Sequence, residues 1–131
     1  MTVQTVTKTE VLVDLHGTLD AIAGWNLQWG GGTALGNGDT GTPVLLPGYA
    51  DKSIQVTGTF GSGGSVTLEG SNDGVNYFTL TDPTGTAIAI TAAGGKAITE
   101  STQYVRPHCT AGDGTTALVV TVFCRATQQR F

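Results

Sequence analysis

Apolar and polar residues alternate along this chain in short runs, and each run stops at Gly, Pro, Asp or Asn. In SIQVTGTF, Ile54, Val56 and Phe60 fall on one side while Gln55, Thr57 and Thr59 fall on the other. Successive side chains of an extended chain point to opposite faces, so a run of this kind buries one face and wets the other only as a β-strand. SVTLEG, NYFTLT, TAIAIT, QYVRPHCT and ALVVTVFCRA repeat the pattern at a spacing of about ten residues, the rhythm of a sandwich or barrel. No window keeps a helical period over three turns, so little or no helix is expected. The last run is the most apolar, with Leu118, Val120, Val122 and Cys124 on one face and Val119, Thr121, Phe123 and Arg125 on the other. It is expected to be central, or to meet a partner with its second face.

A chain of 131 residues suits one domain. Residues 51–131 are expected to form the sandwich core, and residues 1–50 an N-terminal strand, TEVLVDL (Thr9 to Leu15), plus a long connection. That connection, HGTLDAIAGWNLQWGGGTALGNGDTGTPVLLPGYA, is Gly-rich, is interrupted by Pro43 and Pro47, and carries both tryptophans, Trp25 and Trp29. A structureless segment so long is rare in a compact domain unless it has a function. Two readings stay open: its tryptophans cover one end of the sandwich, or it is an arm that reaches a neighbouring subunit. The fold class expected is therefore all-β, an antiparallel β-sandwich of jelly-roll or immunoglobulin-like type with a long Gly-rich N-terminal loop or arm.

Composition narrows the function. Six Lys and Arg stand against ten Asp and Glu, and the basic residues are scattered, so the electrostatic footprint of nucleic-acid binding is missing. The apolar runs are short and broken, and MTVQTVTKTE has neither the basic start nor the apolar core of a signal peptide. Neither membrane insertion nor signal-dependent secretion is expected. Cys109 and Cys124 stand in no CxxC or Cys/His cluster, which leaves zinc without a ligand set. If AGDGT turns a final hairpin about Asp113, Cys109 falls opposite Ala117 and Cys124 opposite Thr102, a register that keeps the two thiols apart.

Catalytic constellations are equally thin. His16 and His108 lie far apart and no serine sits in a GxSxG elbow. His108 shares a strand face with Tyr104 and Arg106, the setting of a surface histidine. The glycines of GGG (30–32) and GTALGNGDTG lack the Lys and the following helix of a phosphate loop. Asp39, Asp51, Glu69, Asp73, Asp82, Glu100 and Asp113 supply carboxylates for glycoside hydrolysis, but most fall in turns, where Asp has a backbone role. The chain is not expected to be an enzyme, nor to carry a cofactor or metal.

The acid-rich stretch LEGSNDGVNYFTLTDPTG reads as turn chemistry. It lacks the spacing and terminal Glu of an EF-hand loop. A three-residue turn, Asn72-Asp73-Gly74, opposes Leu68 to Phe78 and Val66 to Leu80, with Gly74 in the left-handed position. Asp82-Pro83-Thr84-Gly85 has the residue order of a type I turn. The hairpin then leaves Thr67, Glu69, Tyr77 and Thr79 on its outer face, with Glu69 opposite Tyr77 and Thr67 opposite Thr79, a hydroxyl-rich surface suited to a flat contact.

The segment from Ile54 to Ala126 resembles small β-sandwich structural proteins of tailed bacteriophages in its succession of VTGTF, TLEGSNDG, an aromatic, TLTDPTG and YVRP before a final Val-rich strand. The resemblance implies a virion protein, a decoration or cement protein made in the host cytoplasm that binds the outside of the assembled head. Its partner would be the major capsid protein lattice. A homo-oligomer is expected, a trimer above others because closed cyclic assemblies match the three-fold positions of such a lattice. A tail structural role is a variant of the same reading. Capsid or subunit contact is expected from Trp25, Trp29, Leu45, Leu46 and Tyr49, since aromatic anchors carry disproportionate interface energy. The SNDGVNY hairpin is also similar to that of galactose-binding-like jelly rolls, which implies carbohydrate binding as the alternative.

Overall fold

The structure, a computed structural model, describes residues 2–15 and 18–125, with the side chains of 2–11 and 24–125. In chain order the strands are β1 (Val3–Gln4), β2 (Val6–Leu15), β3 (Thr18–Trp29), β4 (Thr40–Gly41), β5 (Val44–Leu45), β6 (Asp51–Thr59), β7 (Ser65–Ser71), β8 (Phe78–Thr79), β9 (Gly94–Ile98), β10 (Tyr104–Ala111) and β11 (Ala117–Arg125). No helix occurs among the described residues. Two sheets pack face to face as a β-sandwich, the expected class. One runs β1-β4-β10-β7-β8, with β5 also paired to β10, and the other runs β2-β3-β11-β6-β9. Among the described residues only β1 and β4 pair in parallel.

The alternation places side chains as expected. Val105, Pro107 and Cys109 of β10 face Leu118, Val120, Val122 and Cys124 of β11 across the core, joined by Ile54 and Val56 of β6 and Val66 and Leu68 of β7. β11 is central in its sheet, between β3 and β6. The outer face of that sheet presents Thr7 and Thr9 (β2), Asn26 and Gln28 (β3), Thr121 and Phe123 (β11) and Ser53 and Gln55 (β6). Its charged side chains among the described residues, Asp51 and Arg125, sit at one end and bond each other at 3.3 Å.

Strand partnership corrects the expected final hairpin. β10 and β11 belong to different sheets, so AGDGT is a crossover. In opposite layers the apolar faces of β10 and β11 meet each other across the core. Side chains fix the crossover: Asp113 accepts hydrogen bonds from Thr115 and from the amide of Ser62 (2.9 Å), and the Thr116 hydroxyl donates to the Phe60 carbonyl (2.8 Å). The β6–β7 crossover is thereby tied to the β10–β11 crossover. Cys109 and Cys124 are free thiols enclosed in the core.

The expected long loop is also corrected. Thr18–Trp29 is a strand that pairs with β2 from Leu15↔Thr18 to Val6↔Trp29 and with β11 from Trp25 to Trp29. Within it, WNLQW alternates Trp25, Leu27 and Trp29 toward the core side with Asn26 and Gln28 outward. Among the described residues β3 pairs with β2 alone from Thr18 to Gly24. After β3, Gly30 takes a left-handed φ of 89° where its backbone meets that of Leu118. Leu35 then bridges to Leu118 and is fully enclosed.

Trp29 is 0% exposed and its indole N–H donates to the Thr42 carbonyl at 2.9 Å, which binds β3 to the β4–β5 segment of the opposite sheet. At the far end of β6, Lys52 faces the core side beside Cys124 and is 5% exposed. Its ammonium donates to the carbonyls of Glu100 (2.7 Å) and Ala50 (3.1 Å), the pairing that a buried cation requires. Burial pushes this amine below its ordinary value, opposed by nearby acidic groups. Replacing Trp29 by Ala is expected to cost about 3–5 kcal/mol in urea unfolding, whereas Leu45→Ala, at a side chain 52% exposed, is expected to change stability by about 0.5 kcal/mol or less.

Candidate functional site

Four of the five contact residues expected from sequence converge on one margin of the sandwich. Trp25, Leu45, Leu46 and Tyr49 line an open groove of about 220 Å³ together with Lys8, Leu27 and Val44. The groove forms because β3 brings Trp25 and Leu27 to the core-facing side of one sheet, where the segment after β5 meets them from the other. Leu46-Pro47-Gly48-Tyr49 is a reverse turn closed by the Tyr49 amide on the Leu46 carbonyl (3.1 Å). Pro47 presets the first corner and Gly48, at φ 97°, takes the left-handed second corner of a type II turn. The turn delivers Tyr49 to Trp25, whose indole N–H donates to the phenol oxygen at 3.2 Å.

The fifth residue does not join them. Trp29 is sealed in the core and has no surface to offer a partner, which corrects its assignment as a contact residue. Leu46, at 6% exposure, forms the floor of the groove, while Leu45 points outward beside Tyr104. Lys8 was missed because a lone Lys between threonines carries no local signal. Only the pairing Lys8↔Leu27 sets it on the core-facing side.

The outer face of the other sheet holds the second expected set. Here the hairpin register differs: Glu69 pairs with Thr79 and Gly70 with Phe78, and the Leu80 amide bonds the Leu68 carbonyl (2.9 Å). The loop is longer than three residues because two side chains satisfy its backbone. The Ser71 hydroxyl accepts from the amides of Gly74 (2.8 Å) and Asp73 (3.2 Å), and Asp73 accepts from those of Val75 and Asn76 (each 2.8 Å). Gly74 does adopt the expected left-handed φ, at 76°. Thr67 lies opposite His108 and is almost enclosed, and Thr79 is exposed.

Charge, and not hydroxyls alone, defines this face. Glu69 binds Arg106 Nε through one oxygen and His108 Nδ1 through the other, both at 2.9 Å. Arg106 also lies 3.9 Å from the centroid of the Tyr77 ring, a cation–π contact. The Tyr77 hydroxyl is enclosed and has no partner among the described residues. Burial pushes its phenol up from the ordinary value, with Arg106 opposing. His108 is thus the surface histidine expected, braced by Glu69. His16 lies outside the described residues.

Asp39, Glu100 and Asp82 serve the backbone. Asp39 accepts from the amides of Gly36 and Thr2, both at 2.9 Å, and Glu100 from the amide and hydroxyl of Thr81 at 2.8 and 2.6 Å. Asp82 closes the expected DPTG turn, with the Gly85 amide on its carbonyl (2.9 Å) and the hydroxyl (2.6 Å) and amide (2.9 Å) of Thr84 on its carboxylate. No group of three or more His, Cys, Asp or Glu stands ready for a metal among the described residues. Comparison with protein-family models, with curated proteins and with solved structures finds no match to this chain.

The turn acids set an acid limit. The Thr84 hydroxyl foremost holds the Asp82 carboxyl down to about 2, and the Thr115 hydroxyl does the same for Asp113, against an ordinary 3.8. A depressed folded-state value means that the stabilisation is complete above the unfolded value and is lost as pH falls through the folded one. Urea midpoints are expected to stay level down to about pH 4 and then to fall toward about pH 2. Asp82→Asn with Asp113→Asn should lower the midpoint at neutral pH and flatten that acid slope.

Proposed function

We propose that this chain is a structural protein of a tailed-phage virion, a decoration or cement protein that binds the outside of the assembled head and stabilises it. The observation that carries the reading is the convergence of Trp25, Leu45, Leu46 and Tyr49 on one open margin, an anchor-rich patch of the kind that dominates interface energy. The resemblance of the Ile54 to Ala126 segment to phage β-sandwich proteins supplies the partner, the major capsid protein lattice. The fixed turns and braced carboxylates suit a rigid adhesive body more than a site that moves protons.

Such a protein does no chemistry. It binds the expanded lattice at junctions between capsid subunits, and whatever binds one state of a shell stabilises that state by linkage. Many copies acting together make modest energies per site sufficient. Homo-oligomerisation belongs to the same proposal, with three-fold order resting on lattice symmetry. Carbohydrate binding draws less support, because Arg106 covers a face of the Tyr77 ring that a sugar would use for stacking.

The test is co-sedimentation of the purified chain with heads of a phage that encodes it, prepared without it. Saturable binding is expected, and Trp25→Ala, checked for an unchanged fold by its unfolding curve, should weaken it by about 2 kcal/mol, roughly thirtyfold. Absence of binding to such heads would sink the proposal, and density for the chain in the virion would separate a head position from a tail one.

A further inference from the structure

We infer that the free edge of β2 is an interface with a second copy of this chain, paired antiparallel about a two-fold axis at Thr9. β2 ends its sheet, with β3 on one side and no strand on the other among the described residues. An unpaired edge exposes a row of amides and carbonyls, and proteins commonly blunt such an edge with Lys. Lys8 alone would serve that end. Glu10, two residues on and on the same face, changes the reading.

Antiparallel pairing about Thr9 sets each Lys8 opposite the other copy's Glu10, and Thr7 opposite Val11. Lys8 and Glu10 are both exposed, and neither has an ion-pair partner or side-chain hydrogen bond among the described residues. Every other charged side chain described there has such a bond, from Asp39 with Gln4 to Arg125 with Asp51. The complementarity is therefore held in reserve on one edge, and a two-fold axis satisfies both charges twice.

The same stretch of β2 is regularly paired on its other edge. The β2–β3 ladder is regular from Val6 to Val11 and shifts between Val11 and Leu12 and again between Val13 and Asp14. The skipped residues, Ala23 and Asp20, both lie in β3, so β2 itself carries no bulge, and Val6–Val11 is the span over which its ladder keeps one register. Residues 7–11 are the part of that span symmetric about Thr9. Lys8 also lines the Trp25–Tyr49 groove, so the second copy's Glu10 would stand at the groove margin.

This two-fold association does not rest on the capsid reading and differs from the three-fold order proposed with it. Sedimentation equilibrium of the full chain decides, with a monomer–dimer equilibrium expected. Lys8→Glu or Glu10→Lys alone should raise the dissociation constant about tenfold, and the two together should restore it. Across an antiparallel pair, Cα atoms lie about 4.5–5.5 Å apart, within disulfide reach. Thr9→Cys should therefore give a cross-linked dimer on mild oxidation, while the enclosed Cys109 and Cys124 stay free. A wild-type chain that remains monomeric, a trimer indifferent to both charge reversals, or a Thr9→Cys chain that does not cross-link would each overturn the inference.

Discussion

Trp29 is the contact on which the N-terminal part of the molecule depends. Its ring is enclosed between the layers, and its indole N–H needs a partner that a dry core seldom offers; the Thr42 carbonyl provides one at 2.9 Å. Gly41 stands beside the ring with no room for a β-carbon, so the backbone of β4 can lie directly against the indole. Once this contact is made, β3 is held under β4, and β2 follows as its hairpin partner. The groove of Trp25, Leu46 and Tyr49 is a product of the same docking, two periods of alternation back along β3.

How much of this was legible depends on what alternation encodes. Side-chain parity was legible in β10, where Tyr104, Arg106 and His108 face out and Val105, Pro107 and Cys109 face in. Partnership was not. Period two states which face of a strand is buried but not which strand lies beside it, so AGDGT passed for a hairpin when it is a crossover. Turn chemistry was legible where the backbone itself makes the turn, as at Asp82 to Gly85. At Ser71 to Asn76, side chains replace backbone bonds, and the register moved by two residues with the parity kept. The strand at Thr18–Trp29 was hidden by Gly24 and by the glycines at 30–32 that follow it, although WNLQW carried the alternation in five residues. Of the site, the residue types were legible, and their convergence came from long-range packing that no local pattern records.

The two outer faces are unlike in a way that matters for association. One sheet gathers Glu69, Arg106, His108 and Tyr77 into a self-contained cluster in which each charge already has its neighbour. A partner meeting that face would have to compete with bonds already made. The groove margin makes no such demand, since its aromatic residues are bonded to each other and present apolar surface.

The outer face of the β11 sheet has a different consequence. Its Thr, Gln, Asn and Ser side chains carry no charge between the paired Asp51 and Arg125 and the far end of the described strands. Such a surface projects almost no long-range field, so it neither draws partners in nor turns them away as ionic strength changes. Contacts made there would be indifferent to salt.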